Sequence, residues 1–215
     1  MNLKKLRDAE ISFLERYPGG FAHPDMEAVG KRHNVGKLSQ QTAEVLARPV
    51  FKNTAEALTN VVKIVSRSSM VSMFEKPKFR DYINGLSRED RARLAEGFRK
   101  LLHGNQQKGF NEVLDILVEG KLGKWSLMTI CSMYLRPTED VFVKPTVTKG
   151  VIKQFELEGL VYNPRPSWDF YKDYRDAIDE MKSLVDPSLS PNNAAFTGFL
   201  MLTTGTLPER RRSSR

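Results

Sequence analysis

Apolar residues recur every three or four positions along almost the whole chain, the spacing of one helix face. Leu3, Leu6, Ile11 and Leu14 mark a first amphipathic helix that stops at Tyr17-Pro18-Gly19-Gly20. His23-Pro24 opens a short second one through Met26 and Val29. Gly36 is expected to break the chain, with Ser39 capping a helix over Gln40–Leu46. Asn53 and Thr54 are candidate caps for Ala55–Val65, where Leu58, Val61, Val62 and Val65 share a face. Its β-branched residues leave a strand over Asn60–Val65 open as an alternative. Lys76-Pro77 starts a helix that ends near Gly85, and Ser87-Arg-Glu-Asp90 reads as a capping box ahead of Leu94, Phe98, Leu101 and Leu102.

The second half repeats the pattern. Phe110–Val118 is an apolar stripe closed by Gly120, and Trp125–Leu135 is apolar nearly all round. Pro145 stands in the first turn of a helix to about Phe155, where its missing N–H costs little. Ser167–Val185 turns Trp168, Tyr171, Tyr174, Ile178 and Met181 inward, and Ser190-Pro191 caps a last helix through Phe196, Phe199 and Leu202. Regularly spaced short strands are absent, and the Asn84-Gly85 pair stands at the end of a helical pattern rather than between two alternating runs. The expectation is an all-α fold of about ten to twelve helices in two packed lobes. Residues 1–70 form an N-terminal lobe, 71–206 a helical domain with a hairpin at 118–126, and 207–215 a short basic tail.

Charge narrows the partners. The 215 residues carry 34 Lys+Arg against 26 Asp+Glu, a formal +8, which favours polyanions such as DNA. No apolar run approaches the roughly 20 residues that span a bilayer, and the N-terminus turns polar at once. No membrane association is expected. The single cysteine, Cys131, lies inside an apolar run and reads as a buried small hydrophobe; one cysteine and no zinc spacing fit a reducing cytoplasm. His23, His33 and His103 stand far apart, so neither a metal nor another cofactor is expected.

Glu119-Gly120-Lys121-Leu122-Gly123-Lys124-Trp125-Ser126 carries the clearest chemistry. Two glycines three apart let a phosphate approach the main chain, and the amides opening the Trp125 helix carry the positive end of its dipole. Lys121 and Lys124 add charge, while Lys144, Lys149 and Lys153 line the start of the next helix. Gly120, Lys121, Gly123 and Lys124 would hold one phosphate without reading sequence. A helix C-cap followed by a lysine-rich turn explains the same residues without any ligand.

The order of these segments resembles the helix-hairpin-helix DNA glycosylases over about residues 110–205. Val118–Ser126 stands where that family places its hairpin, Trp125-Ser126 resembles the Trp-Thr of the alkylation-repair branch, and Arg136-Pro137-Thr138-Glu139-Asp140-Val141-Phe142 resembles the link to its catalytic segment. The resemblance implies a glycosylase-like helical scaffold, DNA binding and a place in base-excision repair. It departs where the chemistry sits. The family carries an Asp at the start of the helix after the hairpin, to stabilise a developing sugar cation or activate a nucleophile. Phe142-Val143-Lys144-Pro145-Thr146 has no carboxylate there. Glu119 replaces the family's hairpin proline, and Trp125 stands where the bifunctional branch has its lysine. Asp140 or Glu139 would have to serve as a displaced acid, with Lys144 the other candidate reactive group.

Trp125, Trp168 and Tyr171 are candidates for stacking on an extruded base, although a helical aromatic stripe more often builds core. Ser66-Arg67-Ser68-Ser69 reads either as a phosphate-contacting loop or as a small-residue junction. Three functions follow. The first is a DNA-binding protein without ordinary glycosylase catalysis. The second is a protein–protein scaffold with an incidental basic surface, exposing apolar side chains in Ser66–Phe74 or Ala194–Met201. The third is an atypical base-excision glycosylase with a displaced acid.

Overall fold

Side-chain caps set many of the helix starts. Asn53 Oδ1 accepts from the amides of Ala55 and Glu56 at 3.1 and 3.2 Å. The Ser87 hydroxyl accepts from the Asp90 amide at 3.0 Å and donates to the Asp90 carboxylate at 2.8 Å, a cap at the position that the sequence announces. The computed structural model describes residues 1–204; the basic tail 207–215 lies outside the described residues. Within them every regular element is helical: α1 (Leu3–Arg16), α2 (Pro24–His33), α3 (Val35–Val45), α4 (Thr54–Arg67), α5 (Glu75–Gly85), α6 (Arg88–His103), α7 (Gln106–Glu119), α8 (Trp125–Leu135), α9 (Pro145–Gln154), α10 (Trp168–Ser183) and α11 (Asn193–Thr203), with three short 3₁₀ turns between them.

Two expectations are corrected. Residues 60–65 lie inside α4, because Leu58, Val61, Ile64 and Val65 all reach the core at helical spacing. Gly36 does not break the chain. Asn34 adopts a left-handed conformation (φ 55°) and serves as both the end of α2 and the start of α3, so Gly36 falls in the first turn of a helix reaching Val45. Ser39 is then a mid-helix residue rather than a cap.

The helices pack as two interlocked groups. α3, α4, α6, α7 and α8 contact one another, while α1 and α9 pack on α11 and α10 bridges α7 to the turn before α11. Packing thus crosses residue 70 in both directions. The Asn2 amide even bonds the Phe155 carbonyl at 2.8 Å, tying the first helix to the end of α9. α6 and α7 approach most closely. A Cβ on Gly109 would lie 2.1 Å from the Leu101 nitrogen, so only glycine fits there. Lys100 reaches across to Glu112 at 2.6 Å. The α7–α8 bend lies at the end of this antiparallel pair.

α8 runs through the middle, and all its residues from Leu127 to Tyr134 are buried. Cys131 is among them, and burial pushes its thiol up to about 12, leaving an inert apolar side chain.

Candidate nucleic-acid interface and adjoining cleft

The α7–α8 bend is built from its backbone bonds. α7 ends in a Schellman motif: the Leu122 amide donates to the Leu117 carbonyl at 2.8 Å and the Lys121 amide to the Val118 carbonyl at 2.9 Å. The left-handed residue is Lys121 (φ 56°), not Gly120. Gly120 and Gly123 serve a different purpose from the one expected. A Cβ on Gly120 would fall 2.6 Å from the Tyr82 ring, and one on Gly123 would fall 2.7 Å from Val118 Cγ2. Both glycines permit close packing, with Leu122 buried as the apolar anchor of the motif.

The bend nevertheless faces solvent. Lys121 and Lys124 are exposed, while Gly120, Gly123 and Ser126 are half-buried. Among the described residues neither lysine has an ion-pair partner, and the amides of Gly123, Trp125 and Ser126 find no acceptor. Those amides and the dipole of α8 give this end of the bend a positive potential. Two carboxylates temper it. Glu119 is exposed beside the bend, and Glu75 accepts from the Ser126 hydroxyl at 2.9 Å.

The loop before α10 continues this surface. The Trp125 indole donates to the Asn163 carbonyl at 2.7 Å, placing exposed Arg165 next to the hairpin. Lys149 of α9 stacks over the Tyr162 ring at 5.0 Å. Lys153 is exposed one turn further along. Lys144 belongs elsewhere: it caps the start of α9 and lines a cleft with His33.

The aromatic candidates are core. Trp125 is packed by Phe110 and Phe170, and Tyr171 stacks on Phe110. At 2% exposure each, neither Trp125 nor Tyr171 presents a ring face to a base. Trp168 is half-buried, set edge-on to Phe110 and covered by the Arg175 guanidinium at 5.7 Å.

Asp140 and Glu139, adjacent in sequence, occupy opposite environments. Glu139 is exposed. Asp140 is 1% exposed, and both of its oxygens are engaged. Oδ2 accepts from Arg136 Nε at 2.7 Å and pairs with Arg136 Nη2 at 2.6 Å. Oδ1 accepts from the Tyr171 hydroxyl at 3.0 Å and from Arg175 Nη1 at 3.1 Å. Arg136 also donates to the Leu101 and Leu102 carbonyls, closing the end of α6. Burial and the neighbouring carboxylate push the Tyr171 phenol well above its ordinary range. This is a structural knot that joins α6, α10 and the 136–140 link. It offers no free carboxylate to a substrate.

A cleft of about 300 Å³ opens where α2, α9 and α11 meet the 68–75 segment. Its walls are mostly apolar, with Phe21, Met26, Met70, Phe142 and Val147 among them. Lys144, His33 and Ser69 supply polarity, and His33 Nδ1 lies 2.9 Å from Ser69 Oγ. Partial burial, then Arg32 and Lys144, lower the His33 pKa. The sequence signal for this cleft is thin: His33 and Ser69 lie 36 positions apart. The segment next to it ends in Met73 and Phe74, each 74% exposed. Among the described residues no cluster of His, Cys, Asp and Glu has the geometry of a metal site. No family model matches the chain, and neither a curated protein nor a solved structure matches it.

Proposed function

We propose that this chain binds DNA through the α7–α8 bend, on a glycosylase-like helical scaffold that lacks ordinary glycosylase chemistry. One observation carries the reading: Lys121 and Lys124 stand exposed and unpaired beside three amides without acceptors, at the start of an eleven-residue helix. Lys149 and Arg165 extend the basic surface through the 162–165 loop. Contacts of this kind hold a phosphate backbone and do not distinguish bases. The absence of catalysis is inferred from side-chain chemistry. Lys144 begins α9 where the resemblance expects an acid, and a cation there repels an oxocarbenium-like centre. Asp140 is committed to two arginines.

Fluorescence anisotropy with a labelled duplex tests the proposal. Lys121→Glu combined with Lys124→Glu is expected to weaken binding at least tenfold at moderate salt, and wild-type affinity to fall steeply with salt. Unchanged affinity of the double variant refutes it.

A second reading has its own observation. Met73 and Phe74 expose two adjacent large apolar side chains, the patch expected of a protein–protein scaffold in Ser66–Phe74. That function predicts no salt-sensitive duplex binding, so the same titration separates the two.

A further inference from the structure

The cleft between α2, α9 and α11 has a chemistry distinct from the hairpin. Its walls include three methionines, Met26, Met70 and Met201, whose unbranched side chains adapt to irregular apolar guests. At about 300 Å³ it is at the small end of ligand sites. Lys144 lines it and is solvent-exposed, which places this side chain at the mouth. Among the described residues no carboxylate lies within ion-pair reach of Lys144. Glu27, the acid in the lining, pairs with Lys31 at 3.7 Å on the surface of α2. Partial burial, then Arg32 and Lys144, lower the His33 pKa and favour its neutral ring, so Lys144 is the cation at the mouth.

The backbone agrees with the side chains. The amides of Thr146 and Val147, in the first turn of α9, find no acceptor among the described residues. The Ala194 amide at the start of α11 is likewise without one, and Val147 and Ala194 both line the cavity. The Lys144 ammonium at the mouth favours an anionic head, with the first turn of α9 beside it adding the positive end of a helix dipole, and the methionine-rich interior favours an apolar body. A neutral guest would gain nothing from the lysine. A dianion would have to desolvate a second charge against apolar walls.

We infer that this cleft binds a small apolar carboxylate of the medium-chain fatty-acid class, with Lys144 as counter-ion at the mouth and the chain lying between α2 and α11. The site is independent of duplex binding, since the hairpin lysines stand on the α7–α8 turn and contribute nothing to the cleft lining.

Isothermal titration calorimetry with octanoate tests it on the full chain, with octanol and acetate as probes of the chain and the head alone. Octanoate is expected to bind at least tenfold more tightly than either. Lys144→Met, which keeps an unbranched stem and removes the charge, is expected to weaken octanoate at least tenfold and leave octanol unchanged. Ala194→Leu, which fills the cavity without touching the charge, is expected to weaken both. The Lys121→Glu/Lys124→Glu variant is expected to bind octanoate like the wild type, so a failure of the DNA reading leaves this result standing. Octanol binding equal to octanoate overturns the inference. So does the absence of octanoate binding, or binding that survives both Lys144→Met and Ala194→Leu.

Discussion

Replacing Asp140 with Asn tests the deepest electrostatic feature of the fold. The change is nearly isosteric, yet it sets two demands against each other. Oδ1 accepts from Tyr171 and Arg175, and Oδ2 accepts from Arg136. An asparagine amide offers one oxygen and one NH2 group, so one side of the knot must face a donor with a donor. The Arg136 and Arg175 side chains are only 18% and 19% exposed, and water cannot fully replace the missing charge. Breaking a buried pair by removing one partner costs about 3–5 kcal/mol, a large part of a domain's total of roughly 5–15 kcal/mol. For a chain of this size that corresponds to a fall of roughly 6–20 °C in Tm.

Urea denaturation followed by far-UV circular dichroism measures the loss, read as a lower midpoint at unchanged slope. Glu139→Gln is the internal control: the neighbouring carboxylate is exposed, and its neutralisation should change stability by no more than about 0.5 kcal/mol. A loss below about 1 kcal/mol for Asp140→Asn refutes the structural assignment. The experiment also disciplines the enzymatic alternative. Base release from alkylated duplex that disappears in a fully folded Asp140→Asn protein supports a displaced acid, whereas disappearance that merely tracks unfolding does not.

Two further outcomes follow from local geometry. Lys121 holds a left-handed conformation that costs a non-glycine residue roughly 1–2 kcal/mol, so Lys121→Gly should gain about 0.5–1 kcal/mol after the added chain entropy of glycine, by denaturant midpoint, while weakening duplex binding; a stability loss contradicts the Schellman assignment. The His33 pKa is lowered in the fold, chiefly by burial and then by Arg32 and Lys144, so its contribution to stability is fully present above its unfolded value near 6.5 and is lost as pH falls through the lower folded value. His33→Gln should therefore lose less stability than the wild type between pH 7.5 and 5.5, and identical pH dependence refutes the assignment.

The helical class was legible because its signals are local. Asn53 and Ser87 cap where their side chains predict, and α8 covers the Trp125–Leu135 run that the apolar pattern marks. Gly36 misled because a glycine near a helix start costs little: its amide is among those that have no intrahelical acceptor in any case. The break falls instead at Asn34, which turns the chain in a single left-handed residue and leaves no loop to read. The chain turns between Glu119 and Trp125, but its glycines are there for packing rather than for approach of a ligand. Gly120 is required by the Tyr82 ring, from a helix nearly 40 positions earlier, and no local pattern reveals that approach.

The fate of a charge is harder to read than the position of a helix, because it is decided by partners distant in sequence. Glu139 and Asp140 look interchangeable in the chain. Arg136 lies four residues before Asp140, but Tyr171 and Arg175 come from another helix, 31 and 35 positions away. Those two contacts turn a candidate acid into a structural counter-ion. Lys144 shows the converse. A buried lysine needs a carboxylate partner or loses its charge, whereas an exposed one at the rim of an apolar cavity keeps its charge in water and remains available to an incoming anion. Of the charged side chains lining the cleft, Glu27 is paired with Lys31, and Lys144 has no ion-pair partner among the described residues. A lone cation at the rim of an apolar cavity disfavours a cationic guest and favours an anionic one.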